Sequence, residues 1–195
     1  MDDWPTSDLP DALAAIEADT ARCGFAMPSE RRTGSLLRML AASKPAGRFL
    51  ELGTGTGLAT AWLLDGMDGA SRLTSIDIDR RVSAVAKRHL GRDRRLDLVV
   101  GDADQWLRQA GAASYDLIFA DAMHGKYVMF DHAWRRLGQG GIYVADDMLP
   151  QANWPVGHQA RVDGLLDLLD ARADCAVTRL TWTTGLVIAV RTSEK

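Results

Sequence analysis

Apolar positions in the middle of the chain fall into short, mostly continuous runs, separated by segments with the periodicity of amphipathic helices. Strands that are apolar throughout are typical of a parallel sheet covered by helices on both faces. Five such runs are predicted as strands, at residues 48–53, 73–78, 96–100, 115–120 and 141–145. Four intervening segments are predicted as helices, at residues 58–64, 81–90, 103–110 and 128–137. The alternation predicts an α/β fold built from strand–helix units.

Both ends of the chain add elements to this pattern. Ser7 or Asp8 can cap a first amphipathic helix, and a second helix is predicted over residues 30–42. A further helix is expected at about residues 158–172. Two β-rich runs, 176–182 and 186–191, then flank Thr183-Thr184-Gly185, a sequence typical of a hairpin turn.

These elements predict one domain over residues 1–195, with a helical cap segment over 1–45 and a core over 46–195. The core is expected to be a doubly wound, seven-stranded, mostly parallel sheet with an antiparallel C-terminal hairpin strand and helices on both faces. In such sheets, ligands bind outside the carboxyl ends of the strands.

Composition narrows the class of protein. The chain has 47% apolar and 25% charged residues and a formal net charge of −3, which is typical of a soluble globular domain. Its basic residues are dispersed, so neither nucleic acid nor an anionic membrane is an expected partner. Asp2 and Asp3 stand where a signal peptide needs basic residues, and no run reaches membrane-spanning length. Cys23 and Cys175 lack motif spacing, and we predict two buried thiols in a cytoplasmic protein.

A glycine-rich loop follows the first predicted strand, and an acid follows the second. Gly53, Gly55 and Gly57 alternate at the strand–helix turn, and Asp77 lies twenty residues beyond Gly57. Glycines let backbone N–H groups approach a ligand closely, and an acid at the next strand end can bind both ribose hydroxyls. Although a glycine-rich turn alone is commonplace, the pair predicts a nucleoside-containing cofactor.

The glycine spacing distinguishes between cofactors. A dinucleotide site has G-x-G-x-x-G, whereas this chain has G-x-G-x-G preceded by Glu51. The segment resembles the first motif of the class I S-adenosylmethionine-dependent methyltransferases, which are Rossmann-like. The resemblance implies S-adenosylmethionine as the cofactor, bound by Glu51, Gly53, Thr54, Gly55, Gly57, Thr60, Asp77, Ile78, Asp102 and Ala103. Asp102 can alternatively cap the helix that follows it.

Acids also end the fourth and fifth predicted strands. Asp121 follows the fourth, and Asp146 and Asp147 follow the fifth. Carboxylates at neighbouring strand ends can converge on one hard cation, although each can also cap a helix or stay solvated. The sequence therefore predicts a candidate metal site at Asp121, Asp146 and Asp147.

From about residue 25 to 141 the chain resembles the catechol and caffeoyl-coenzyme A O-methyltransferases. The resemblance implies that Met27, Ser29 and Asp121 lie beside the cofactor and that Mg²⁺ or Ca²⁺ binds the three acids. It also implies a homodimer, and a base at His124, where the family has lysine. Lys126, two residues on, is the alternative base.

This chain departs from the family pattern at two positions besides the base. Asp147 replaces asparagine, and Ala59 replaces a serine whose hydroxyl the adjacent Thr60 can supply. The expected reaction is in-line methyl transfer to a small phenolic or catechol-like hydroxyl. The alternatives are an NAD(P)-dependent oxidoreductase and a non-catalytic S-adenosylmethionine-binding protein.

Aromatic residues late in the chain are candidates for the acceptor pocket. Trp154, Trp182 and Met148 are predicted to wall it, although Trp154, next to Pro155, can instead anchor a loop on the core. His158 is predicted to be a helix-surface residue.

Overall fold

The computed structural model describes residues 8–109 and 114–193. Ser7 and Ala110, one a predicted cap and the other a predicted helix end, lie outside them. The helices are α1 (Leu13–Cys23), α2 (Arg31–Ala42), α3 (Leu58–Gly66), α4 (Arg80–Leu90), α5 (Ala103–Gln109), α6 (Phe130–Arg136) and α7 (His158–Asp170). The strands are β1 (Arg48–Leu52), β2 (Arg72–Asp77), β3 (Leu96–Val100), β4 (Tyr115–Ala120), β5 (Leu137–Ala145), β6 (Cys175–Leu180) and β7 (Leu186–Arg191).

The strands form one seven-stranded sheet in the order β3-β2-β1-β4-β5-β7-β6. Neighbours from β3 to β5 are parallel, and β7 pairs antiparallel with both β5 and β6. β6 therefore runs parallel to the first five strands. The predicted doubly wound sheet with an antiparallel C-terminal strand is confirmed.

Successive side chains on each strand enter different hydrophobic layers, because strand residues alternate between the faces of a sheet. Phe49 of β1 packs in a layer with residues of α1 to α4. Its neighbour Leu50 packs in a second layer with residues of α5, α6 and α7. Helices therefore cover both faces, as the continuous apolar strands predicted.

The N-terminal helices pack on the first layer. A Cβ added at Gly34 of α2 would collide with the indole of Trp62 on α3, so glycine permits close approach here. Cys23 is exposed at the end of α1 and Cys175 is only half-buried, so the prediction of two buried thiols is wrong. The division into a cap segment and a core stays a prediction.

β5 begins earlier than predicted, at Leu137 rather than residue 141. Its register with β4 shifts between Tyr115 and Leu117, where β5 is rich in glycine. α6 is shorter than predicted because Met129 has a left-handed backbone (φ 62°) and precedes its first residue. Within the described ranges, no helix has the length and apolar character needed to cross a membrane.

Candidate active site

A cavity of about 730 Å³ lies where the parallel strands end. One part is lined by the glycine loop, Asp77 and the segment before α2. Another part is lined by the residues that follow β4 and β5 and by the start of α7. The cavity therefore joins the predicted cofactor loop to the predicted acid cluster.

The glycine loop needs its glycines for two reasons. Gly53, Gly55 and Gly57 all have positive φ, at 106°, 53° and 94°. A Cβ at Gly53 would lie 2.8 Å from the carbonyl oxygen of Asp121, and one at Gly57 would lie 2.8 Å from Cβ of Ala86. Gly53, Thr54 and Gly55 line the cavity, whereas Gly57 serves the packing of the loop on α4.

Asp77 is tied to that loop. Its Oδ2 accepts a hydrogen bond from the amide of Gly55 at 2.7 Å, and its Oδ1 accepts one from the amide of Asp79 at 2.8 Å. Asp77 and the adjacent, exposed Ile78 line the cavity. The acid is thus positioned at the end of β2 beside the glycine loop, as the twenty-residue spacing predicted.

Glu51 lies beneath the loop rather than in the cavity. Both Glu51 and Thr60 are fully buried, and Oε2 of Glu51 accepts hydrogen bonds from the hydroxyls of Thr60 (2.6 Å) and Ser75. Burial raises the pKa of Glu51 to about 7. Since its side chain turns into the interface of β1, β2 and α3, the predicted direct contact of Glu51 and Thr60 with a ligand is corrected to a supporting position.

Asp102 caps α5, the alternative recognised from the sequence. Its Oδ1 accepts a hydrogen bond from the amide of Asp104 at 2.8 Å, and Ala103 begins the helix. Neither Asp102 nor Ala103 is among the described residues that line the cavity. Their contact with an adenine base stays a prediction.

Residues from the N-terminal segment approach both the loop and the acids. The ring of Phe25 would lie 3.3 Å from a Cβ at Gly55, and the hydroxyl of Ser29 donates to Oδ2 of Asp121 at 3.0 Å. Met27 lines the cavity with 66% of its surface exposed. The segment that the family resemblance placed beside the cofactor therefore does border the cavity.

Two interacting acids, the partly buried Asp121 and the buried Asp146, lie at the ends of β4 and β5. Burial, and then the charge of Asp146, raises the pKa of Asp121 well above its ordinary value. Burial likewise raises the pKa of Asp146, and the positive charge of Lys126 opposes both shifts. Both acids therefore hold their protons more tightly than ordinary aspartates do, and the buried cation of Lys126 beside them opposes this.

The predicted metal ligands do not form a metal site in this arrangement. Oδ1 of Asp146 accepts hydrogen bonds from Thr184 (2.7 Å) and from the amide of Asp147 (2.8 Å). Oδ1 of Asp147 accepts one from Gln151 at 2.8 Å. In the part of the chain that the structure describes, no three His, Cys, Asp or Glu side chains are grouped as metal ligands. The acids are neighbours, as predicted, but one oxygen of each accepts a hydrogen bond from the protein.

Asp147 has a left-handed backbone, with φ of 57°. Asparagine and aspartate adopt this region more readily than other residues with a side chain. The backbone thus explains why aspartate can stand where the resembling family has asparagine.

Lys126, and not His124, is among the described residues that line the cavity. His124 forms an isolated bridge with Val128, and Gly125 (φ 81°) then turns the chain. A Cβ at Gly125 would collide with Leu52, so only glycine fits this turn. The turn brings Lys126 to the cavity, where it is 3% exposed.

An aromatic cluster forms the far wall of the cavity. His158, the first residue of α7, lies between Tyr127 and Trp154, with ring centroids 5.2 and 4.4 Å away. Burial, and then the charge of Lys126, lowers the pKa of His158, while burial raises that of Tyr127. The prediction that His158 is a helix-surface residue is wrong, because Gly157 (φ 84°) turns the start of α7 into the cavity.

Of the three predicted acceptor residues, Trp154 lines the cavity and also packs on the core. Met148 is buried behind Tyr127, whose hydroxyl lies 3.9 Å from its sulfur. Trp182 is 38% exposed and is not among the described lining residues, so its predicted place is corrected. Thr184, from the same turn, reaches the acids instead because backbone hydrogen bonds hold that turn against Met148 and Leu149.

The sheet order, the glycine loop and the acid after β2 are those of the class I S-adenosylmethionine-dependent methyltransferases. A family model described as a methyltransferase domain matches residues 50–148. The chain belongs to this family.

Three similar proteins illustrate the relationship. A catechol O-methyltransferase of Niastella koreensis is 31% identical over 147 residues, covering 71% of this chain and 66% of that protein. A catechol O-methyltransferase of Mycobacterium tuberculosis is 29% identical over 153 residues, covering 76% and 70%. The crystal structure of the O-methyltransferase TomG from Streptomyces achromogenes with S-adenosylmethionine superposes with a TM-score of 0.81, at 25% identity, covering 94% and 90%.

The matches to curated relatives do not extend over their whole length. The chain covers 53% of a relative from Mycolicibacterium smegmatis and 66% of the one from Niastella koreensis.

Proposed function

We propose that this protein transfers a methyl group from S-adenosylmethionine to a hydroxyl of a small aromatic acceptor, phenolic or catechol-like. One observation carries the proposal: a single cavity joins the glycine loop and Asp77 to an aromatic wall that also contains Lys126 and His158. The names of the two catechol O-methyltransferase relatives support the acceptor class.

The glycine loop and Asp77 would hold the cofactor. The glycines let the loop backbone approach the methionyl part of the cofactor closely, and Asp77 suits the ribose hydroxyls. Gly53, Gly55 and Asp77 all line the cavity. Met27 and Ser29 border the same space from the other side.

The acceptor would lie against the aromatic wall. Trp154 and Tyr127 offer ring faces at the cavity surface, and stacked or edge-on aromatic pairs add about 1 kcal/mol to area burial. In the reaction, an acceptor oxygen forms a bond to the methyl carbon as the carbon–sulfur bond breaks. The electron pair of the carbon–sulfur bond stays with the sulfur. Holding oxygen and methyl in line is the largest contribution open to the protein.

The acceptor's proton must pass to a base. His124 is the base that the sequence predicts, and that assignment stays a prediction. His158 is better placed because it lines the cavity. Its lowered pKa keeps the imidazole neutral at neutral pH. Its contact with the hydroxyl of Tyr127 is long, at 3.4 Å, which leaves Nε2 available to the acceptor. We therefore propose His158 as the proton acceptor.

The divalent cation implied by the family resemblance is not part of this proposal, because the described residues do not bring three acids together as metal ligands and the ammonium group of Lys126 lies beside them. The homodimer and the cytoplasmic location also stay predictions. Sedimentation of the purified protein tests the former.

Methyl-labelled S-adenosylmethionine, offered with phenols, catechols and aliphatic alcohols, tests the function. The expected result is a labelled methyl ether of a phenolic acceptor, identified by mass spectrometry. Cofactor binding without transfer to any acceptor would favour the non-catalytic alternative. Binding of NAD in place of S-adenosylmethionine would favour the oxidoreductase.

The variants His158→Ala and His124→Ala then identify the base. We expect the first to lower turnover by about 10²-fold or more and the second to leave it nearly unchanged. The opposite ranking would return the assignment to His124.

A further inference from the structure

The ammonium group of Lys126 is buried and faces the acceptor end of the cavity. Its Nζ donates one hydrogen bond, to the backbone carbonyl of Asp146 at 2.8 Å, and lies 5.1 Å from the ring centroid of Tyr127. An ammonium group has three donors. Within residues 8–109 and 114–193, no second acceptor takes up the other two. A buried charged donor that lacks partners is costly unless a ligand supplies them.

The acids around Lys126 are already engaged by protein donors. Thr184 and the amide of Asp147 share one oxygen of Asp146, while Ser29 donates to Asp121. These acids are not grouped as metal ligands among the described residues, and a divalent cation held by them would also have to lie close to the ammonium group of Lys126, whose charge acts on both Asp121 and Asp146. Lys126 therefore already supplies a positive charge to this group of acids.

We propose that Lys126 takes the place of a divalent cation: its ammonium group binds the acceptor oxygen directly, and methyl transfer needs no divalent metal. This inference rests on the proposed function. The two unused N–H groups would donate to the acceptor oxygen and stabilise the negative charge that develops as its proton leaves. Hydrogen bonds from a charged donor are about twice as strong as neutral ones, and a fixed donor of this kind contributes about 10²- to 10³-fold in rate.

Direct metal binding tests the inference without any acceptor. Mn²⁺ binding is followed by electron paramagnetic resonance for the unaltered protein, for Lys126→Ala and for the exposed-lysine control Lys87→Ala. We expect weak, non-stoichiometric binding by the unaltered protein and the control. Lys126→Ala, which leaves the acids without their cation, should bind one Mn²⁺ at least tenfold more tightly. Adding Asp121→Asn to Lys126→Ala should abolish that binding and so locate it.

Activity gives the second readout. With an acceptor found by the labelling assay, EDTA should leave turnover of the unaltered protein unchanged. Lys126→Ala should lower turnover by about 10²-fold while changing adenosylhomocysteine affinity less than threefold. If Lys126→Ala does not fold, Lys126→Met preserves most of the side-chain volume and serves in its place.

Several results would overturn the inference. These are stoichiometric Mn²⁺ or Mg²⁺ binding by the unaltered protein, loss of its activity in EDTA with recovery in Mg²⁺, or no gain of Mn²⁺ binding in the Lys126 variants. Titrating adenosylhomocysteine into the same samples distinguishes a failure of the Lys126 inference from a failure of the proposed function. A protein that binds adenosylhomocysteine but needs Mg²⁺ contradicts only the role of Lys126, whereas one that binds no adenosylhomocysteine contradicts the proposed function itself.

Discussion

Replacing Glu51 by glutamine tests how the floor of the glycine loop is held together. Glu51 is fully buried, and the hydroxyls of Thr60 and Ser75 donate to its Oε2, while its Oε1 has no hydrogen-bond partner among the described residues. Glutamine has nearly the same shape and no charge. The hydroxyls can turn to accept from its amide, because each can either donate or accept. The variant should therefore fold and differ from the unaltered protein chiefly in pH dependence.

The magnitude follows from the pKa of Glu51, which burial raises from 4.5 to about 7. A carboxyl that holds its proton more tightly when folded stabilises the protein fully below its unfolded pKa of 4.5. That contribution is lost as the pH rises through about 7, at about 1.4 kcal/mol per pH unit between the two values. Between pH 5 and pH 8 the loss amounts to roughly 2.5 kcal/mol.

The assay is urea unfolding at several pH values between 5 and 8. The measured quantity is the difference in free energy of unfolding between the unaltered protein and Glu51→Gln, which cancels the other titrating groups. We expect this difference to fall by roughly 2.5 kcal/mol as the pH rises. Glu17→Gln is the control, because the ion pair of Glu17 with Arg31 lies near the surface and such pairs contribute about 1 kcal/mol or less. A pH-independent difference for Glu51→Gln would refute the raised pKa of the buried Glu51 carboxyl.

Three further substitutions address the loop, the acids and the acceptor wall. Gly53→Ala should lower stability by about 2 kcal/mol and weaken adenosylhomocysteine binding, since its Cβ would lie 2.8 Å from a carbonyl oxygen at a φ of 106°; unchanged thermal melting and calorimetry would contradict this. Thr184→Val should lower the free energy of unfolding by about 1–2 kcal/mol, because Asp146 loses a hydrogen-bond donor; denaturant unfolding measures it, and a neutral result would mean the bond is dispensable. Trp154→Ala should raise the KM for a phenolic acceptor about tenfold and leave cofactor affinity unchanged, because the cavity loses a ring face. The control Trp182→Ala, at a more exposed tryptophan outside the described cavity lining, should alter neither. Equal KM values for the two variants in steady-state kinetics would argue against a stacked acceptor.

The sheet could be predicted because buried parallel strands leave a direct trace in the sequence. β1, β3 and β4 are largely apolar runs between helical segments, and the bounds of β1 to β4 agree with the prediction to within a residue. β5 was predicted only over its apolar end, since its first residues include three glycines and its register shifts there. Position in the sheet, more than residue type, makes these residues a strand.

The site was predictable where spacing along a strand–helix unit determines geometry. The glycine loop and Asp77 lie together because each follows the end of a neighbouring parallel strand. The direction of single side chains was not predictable in this way. Glu51 belongs to the same motif, but its side chain is buried in the core. The spacing of residues along the chain does not determine the direction of a single side chain.

The acceptor side depends on turns whose backbone the sequence does not reveal directly. Gly125 and Gly157 have positive φ and turn Lys126 and His158 into the cavity. Helical periodicity alone placed His158 on a surface. Its proximity in sequence to Trp154 and Pro155 was the available signal, since these residues form the loop that α7 closes against the cavity.

The central claim is that the glycine loop and Asp77 bind an adenosyl amino acid, and calorimetric titration with adenosylhomocysteine tests it most directly. We expect one molecule to bind per chain. Asp77→Ala should weaken binding at least tenfold, because both ribose hydroxyls lose a charged acceptor, while Asp97→Ala, which removes an exposed carboxylate from β3, should bind as the unaltered protein does. No heat of binding, or equal affinity in both variants, would contradict the account.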